Sequence, residues 1–294
     1  MMNYKMLLWV ILAILILSAC QSSPTDLPAT TSTQPVSTES IVESVEPQLT
    51  MVPTITETIE PKEEPLTEIQ FTPSMEEDEV SITAIREEIE ASDGLILIGT
   101  YYTPADSESP WPGVILLHML WSDRSAWDEY AYELAGNGFA VFALDMRGHG
   151  ETGGEVNWDL AAEDIRLIWD NLSEREEIDP ARMGIVGASI GANMALVSGA
   201  NEPEVRTVIL LSPGLSYAGV ETTVAIKAYG ERSVFIVASQ EDTYAADSSE
   251  KLNELALGES KLEMYQDAGH GTFMLENQPE LRGGIIDWLR DHLQ

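Results

Sequence analysis

Apolar and polar positions divide the chain into three stretches. Met6 to Leu17 is one apolar run. From Gln21 to about Glu79 apolar clusters are sparse and Ser, Thr, Pro and Glu dominate. From Val80 onward, short apolar runs of strand type alternate with segments whose apolar residues recur at helical spacing. Val80–Glu90 and Leu95–Tyr102 read as an opening pair of strands around the turn signal Ser92-Asp93-Gly94. Gly113–His118, Phe139–Asp145, Met183–Gly187, Val205–Leu211 and Val234–Ser239 read as buried strands, and Leu262–Tyr265 as a short last one. Helices are expected from about Arg124 to Ala135, over Leu160–Leu172, Ile190–Ser198, Thr222–Tyr229 and Asp247–Leu257, and over Ile285–Leu293 as an amphipathic close. Strands alternating with helices predict one α/β domain over residues 80–294, with a largely parallel sheet covered on both faces. No internal repeat is visible.

The two N-terminal stretches predict something other than a packed core. Lys5 precedes the apolar run, which is shorter than the ~20 residues a spanning helix needs and ends in small residues. The sequence Leu17-Ser18-Ala19-Cys20 resembles the bacterial lipobox, in which the cysteine is lipidated and becomes the new N-terminus. That resemblance implies a signal peptide over residues 1–20, lipid attachment at Cys20, and a protein anchored in a bacterial cell envelope, facing outside the cytoplasm. A plain secretory signal and an uncleaved anchor are the alternatives. Residues 21–79, with Phe71 the lone aromatic and Lys62 the lone basic residue, have too little apolar area to offset ordering entropy and are expected to be a disordered acidic stalk. A flexible chain of that length spans about 45 Å, and proline and like charge extend it.

Composition narrows the function. A formal net charge of −35 repels polyanions, which excludes nucleic acid as a partner and makes anionic headgroups poor ones. The same acidity serves solubility or a salty habitat. Cys20 is the only cysteine, so there is no disulfide framework and no multi-cysteine metal site. Four scattered histidines without ligand spacing, and no glycine-rich phosphate loop, predict a protein with neither metal nor cofactor.

The candidate chemistry centres on Gly187-Ala188-Ser189-Ile190-Gly191, lying between the strand-like Met183–Val186 and an Ala/Met/Leu helix. Serine between two glycines at a tight strand-to-helix turn is the pattern of a nucleophile elbow. The turn lifts the hydroxyl clear of the sheet, and the helix N-terminus aims its dipole there. A serine nucleophile needs a general base oriented by a carboxylate. Downstream, only His270 and His292 are available. His292, two residues from the end of a helix, is expected to be solvated, whereas His270 lies in the flexible-looking loop Asp267-Ala268-Gly269-His270-Gly271. For the acid, Asp242 follows the strand ending at Ser239. Glu241 competes with it because one residue reverses a side chain's direction, and Asp267 is a weaker third choice. One oxyanion donor should be the backbone N–H of Ile190.

These motifs, with Leu116-Leu117-His118, Leu144-Asp145-Met146-Arg147-Gly148-His149-Gly150 and Gly269-His270-Gly271, resemble the α/β-hydrolase superfamily, in its dienelactone hydrolase-like and serine esterase branch. The resemblance covers nearly all of the 80–294 domain. It implies a mostly parallel sheet of about eight strands, a second oxyanion amide from the loop after the third strand, and structural roles for His118 and His149. Family members carry His-Gly in that loop, whereas here Met119 follows His118. Alignment favours the amide of Leu120 as donor, with Met119 second. Only 22 residues, Ser212–Ser233, separate the sixth and seventh strands, which predicts an open site without a large lid. Trp121, Trp158, Tyr217 and Tyr244 are candidates for lining it. Dienelactone hydrolases use a cysteine nucleophile. The serine here favours ester chemistry on a small acylated substrate, by a monomer. Peptide or thioester cleavage by the same triad, and a degenerate surface binding module, are the competing readings.

Overall fold

The computed structural model describes residues 82–104 and 107–294. The expected signal peptide, the lipidation at Cys20 and the stalk over residues 21–79 lie outside the described residues. Among those described, no helix is long and apolar enough to cross a membrane.

Eight strands form one sheet: β1 (Thr83–Glu90), β2 (Ile96–Thr103), β3 (Trp111–Leu117), β4 (Ala140–Asp145), β5 (Ile178–Ala188), β6 (Thr207–Leu211), β7 (Ser233–Ser239) and β8 (Ser260–Tyr265). Their spatial order is β1-β2-β4-β3-β5-β6-β7-β8. β1 and β2 pair antiparallel, as do β2 and β4, and every other pairing is parallel. Every residue of β4, β6 and β7 is buried, as expected of strands covered on both faces. The edge strand β1 is mostly exposed and heavily charged, which blunts its unpaired rim against association.

Among the described residues, seven α-helices accompany the sheet: α1 (Asp128–Gly136), α2 (Trp158–Ser173), α3 (Ile190–Asn201), α4 (Thr222–Tyr229), α5 (Thr243–Leu255), α6 (Phe273–Asn277) and α7 (Pro279–Leu293). Strand alternation sends Ile115, Phe142, Ile185, Leu210 and Ile236 to one face, where Ile165, Trp169 and Met194 of α2 and α3 cover them. Val114, Val141, Val186, Ile209 and Phe235 face the other side, against Tyr130 and Leu134 of α1 and Ile285 and Leu289 of α7.

Several boundaries differ from those expected. The segment from Arg124 begins as a 3-10 turn, Arg124–Trp127, capped by the Asp123 carboxylate. The fifth strand starts at Ile178, five residues early. Helix α5 starts at Thr243 instead of Asp247, so Asp242 stands at its N-terminus. The last helix begins at Pro279, which occupies the first helical position where a missing N–H costs nothing. Helix α6 and a two-residue hairpin, Ser216–Tyr217 with Val220–Glu221, were not legible beforehand.

Register aligns the carboxyl ends of the central strands. Leu117 of β3 pairs with Gly187 of β5, Ala188 with Leu211 of β6, and Leu211 with Val237 of β7. The loops that follow these strands therefore converge at one end of the sheet, where open α/β folds bind ligands. The Asp145–Gly150 segment is a buried turn there. The Asp145 carboxylate accepts from the backbone N–H of Arg124 (2.7 Å) and Glu151 (2.8 Å) and pairs with the Arg124 guanidinium. Arg147 makes a buried bidentate pair with Asp164, at 2.7 and 2.8 Å.

Candidate active site

The turn from β5 into α3 leaves no room for side chains beside Ser189. A Cβ on Gly187 would fall inside the backbone of Gly191 and lie 2.6 Å from the Ala192 nitrogen. A Cβ on Gly191 would reach 2.5 Å from the His118 carbonyl and closer still to that of Leu117. Both glycines are thus required by contact between backbones. Ser189 itself has φ 55 and ψ −119, a conformation costing about 1–3 kcal/mol for a non-glycine residue. The surroundings hold it: its N–H donates to the Leu211 carbonyl (2.8 Å), and its carbonyl accepts from Ala192 (2.9 Å) and Asn193 (3.2 Å).

His270 meets the serine. Its Nε2 lies 2.7 Å from Ser189 Oγ, and its Nδ1 bonds the Asp242 carboxylate. A carboxylate only accepts, so the Nδ1–Asp242 bond selects the tautomer with its proton on Nδ1 and turns the Nε2 lone pair toward the serine. The structure thus brings Ser189, His270 and Asp242 together and separates Glu241 from them. Glu241 Oε2 accepts from the Ser239 hydroxyl (2.9 Å) and the Asp267 N–H (2.7 Å). Those donors, the Asp267 amide first, hold its carboxyl below the usual range. Asp267 contributes its backbone N–H to this arrangement.

The loop carrying His270 is anchored, contrary to its flexible appearance in the sequence. Ala268 N–H donates to Ser239 Oγ (3.0 Å) and Gly271 N–H to Ser212 Oγ (3.0 Å), while Asn277 Nδ2 donates to the Ala268 carbonyl (3.0 Å). Sequence reasoning missed Ser212, Ser239 and Asn277, and weighed Glu241 only as the catalytic acid, not as an anchor of this loop. The available signal was a small polar residue directly after β6 and at the end of β7. His292, expected in solvent, instead stacks on Trp288 with ring centroids 4.0 Å apart, and its Nδ1 bonds the Trp288 carbonyl at 2.7 Å.

His118 is fully buried with both ring nitrogens engaged. Nδ1 donates to the Met119 carbonyl (2.8 Å) and Nε2 accepts from the Met146 N–H (3.1 Å). Burial pushes its pKa down, so the ring is a neutral brace for the loop after β3. His149 packs edge-on against it at 5.1 Å and bonds the Arg147 carbonyl through Nδ1. The Met119 side chain is accommodated against Gly271, where an added Cβ would lie 2.9 Å from its sulfur. The departure from His-Gly in this loop is thus matched by a glycine beside His270. The N–H groups of Met119, Leu120 and Ile190 have no acceptor among the described residues, as an oxyanion site requires.

The aromatic candidates separate. Tyr217 sets its ring edge-on to His270 (centroids 6.2 Å apart) and to Tyr244 (5.5 Å). Burial and the Asp242 carboxylate push the Tyr217 phenol up, so it stays protonated. Tyr244 ties the hairpin down through the backbone of Ser216, at 2.9 and 3.0 Å. Trp121 is 91% exposed at φ 63, and Trp158 lines a different cavity. Among the described residues, no group of three or more His, Cys, Asp or Glu side chains could hold a metal.

The strand order, the strained serine after β5 and the loops that meet there are those of the α/β-hydrolase fold. The sequence model of the family described as serine aminopeptidase, S33, matches residues 108–232. An uncharacterized protein of Mycobacterium tuberculosis, in strains CDC 1551 / Oshkosh and H37Rv, is 28% identical over 229 residues, covering 70% of this chain and 77% of the relative. Solved structures alike in fold include a dienelactone hydrolase from Anabaena variabilis (TM-score 0.61, 18% identity, 72% of this chain and 99% of that one). An acetyl xylan esterase from Paenibacillus sp. R4 is similar (TM-score 0.63, 15% identity, 72% and 88%). The chain has the α/β-hydrolase fold, and its residues 108–232 are similar to that family.

Proposed function

We propose that this protein is a serine hydrolase that cleaves carboxylic esters through an acyl-enzyme. The observation that carries this reading is the line from Ser189 Oγ to His270 Nε2, at 2.7 Å, and from His270 Nδ1 to Asp242. His270 Nε2 takes the hydroxyl proton as Ser189 Oγ attacks the carbonyl carbon. The N–H of Ile190 and that of Leu120, or of Met119, stabilise the oxyanion that forms. As the tetrahedral intermediate collapses, the bond to the leaving alcohol breaks and His270 returns the proton to it. Water then repeats the sequence against the acyl-serine, releasing the acid and restoring Ser189. Asp242 fixes the tautomer of His270 and stabilises its cation.

The reading extends to location. A lipid on Cys20 and an acidic stalk over residues 21–79 would tether the domain to the outer face of a bacterial membrane, supported by Leu17-Ser18-Ala19-Cys20. Metabolic labelling with a radioactive fatty acid that persists in Cys20→Ala would contradict it.

A second reading has one observation in its favour, the match to a family described as serine aminopeptidase. A panel of p-nitrophenyl esters, acyl thioesters and aminoacyl p-nitroanilides separates the two. Short esters should be turned over fastest, and Ser189→Ala should abolish that turnover while leaving the circular dichroism unchanged. Preference for the anilides would overturn the ester reading, and undiminished activity in Ser189→Ala would overturn the triad.

A further inference from the structure

A cavity of about 700 Å³ opens between α2 and α3, and none of Ser189, Asp242 and His270 lines it. Its walls follow from helical spacing. Trp158, Ala162, Ile165 and Trp169 form one face of α2, and Met194, Val197, Ser198 and Asn201 one face of α3. The hairpin residues Ala218–Glu221 line it as well. The chain between β6 and β7 is short, so it contributes only this hairpin over the groove.

Two features of the lining bear on what it holds. The walls are apolar and aromatic, in a volume typical of small-molecule sites. Four carboxylates, Asp159, Glu163, Glu202 and Glu221, line the cavity against the single cation Arg166. Arg166 in turn has Asp170 within 3.8 Å. An apolar anion would be repelled here. An apolar cation gains from the carboxylates and finds an apolar wall for its body in the half-buried Trp158, Ala162 and Val197.

We infer that this cavity binds a small organic cation with an apolar body. The site is separate from the triad and does not rest on the ester reading. The test is calorimetric titration of the full chain carrying Ser189→Ala, which removes hydrolysis, with octyltrimethylammonium and octanoate. The two probes share a tail and differ in charge. The cation should bind one site per chain, at least about tenfold more tightly than octanoate, and the preference should shrink in high salt. Ser198→Trp, which fills the cavity, should abolish binding. The double variant Glu163→Gln/Glu221→Gln changes only exposed side chains. It should weaken the cation several-fold and leave octanoate unchanged or improved, whether or not Ser198→Trp folds. Equal affinity for the two probes, no binding of the cation, or binding unmoved in the rim variant would overturn the assignment.

Discussion

Replacing Asp242 by Asn exchanges one carboxylate oxygen for an NH2 group and should nearly silence the enzyme. In the wild type the Asp242 carboxylate can only accept, so His270 carries its proton on Nδ1 and presents a bare Nε2 to Ser189 Oγ at 2.7 Å. An asparagine amide can donate to Nδ1 instead. The proton then moves to Nε2, where it faces a hydroxyl it cannot deprotonate. Loss of tautomer control costs about 10⁴ in rate, or about 5 kcal/mol of transition-state stabilisation. The neighbouring Glu241→Gln is the control. Its carbonyl oxygen still accepts from the Asp267 N–H and the Ser239 hydroxyl, so only the charge assistance of those bonds is lost. It should cost at most about tenfold. The assay is kcat/KM on a short p-nitrophenyl ester at pH 7.5, with urea midpoints to show that both variants fold. Asp242→Asn within tenfold of wild type, or Glu241→Gln falling as far as Asp242→Asn, would refute the assignment.

Two further outcomes follow from the packing around the loop after β3. Gly191→Ala puts a methyl group into the Leu117 and His118 carbonyls, so α3 must move away from β3 and carry the Ile190 amide with it. A shift near 1 Å should cost about 10²-fold in kcat and about 1–3 kcal/mol of stability, and wild-type kinetics would show that the two backbones do not meet there. The buried His118 ring has its pKa lowered by burial, while in the unfolded chain it titrates near about 6.5. Below that value the unfolded chain binds a proton that the folded chain resists. The resulting stability is therefore present above about pH 6.5 and lost as pH falls toward the folded value. His118→Gln should flatten this decline between pH 7.5 and 5.5 in urea unfolding, and an equally steep decline in the variant would count against the brace.

The sheet was readable because its strands are buried on both faces and so appear as unbroken apolar runs such as Val208-Ile209-Leu210-Leu211. Ser189 was readable because two backbone contacts leave only glycine possible at 187 and 191. The choice between Asp242 and Glu241 was less so. It depends on where α5 begins, and Thr243-Tyr244-Ala245-Ala246 carries little helical pattern of its own. Ser212, Ser239 and Asn277 act by meeting the His270 loop across the fold, over 59, 29 and 9 residues of sequence, and no local pattern announces such a contact. Helix α6 is five residues long, shorter than the periodicity that would reveal it. The cavity between α2 and α3 was hidden for a similar reason. Its Trp158–Trp169 stripe packs against the core as its spacing predicts, and only the fold brings α3 and the hairpin beside it.

The proposed chemistry requires Ser189 to be an activated nucleophile. Labelling with a fluorophosphonate probe tests it most directly, because only a serine with a working base and oxyanion site reacts rapidly. Mass spectrometry of the labelled chain should find one adduct, on the peptide containing Ser189. Ser189→Ala should take up none, and His270→Ala should react orders of magnitude more slowly. An unlabelled wild-type chain, or an adduct on any other serine, would show that Ser189 is not the nucleophile.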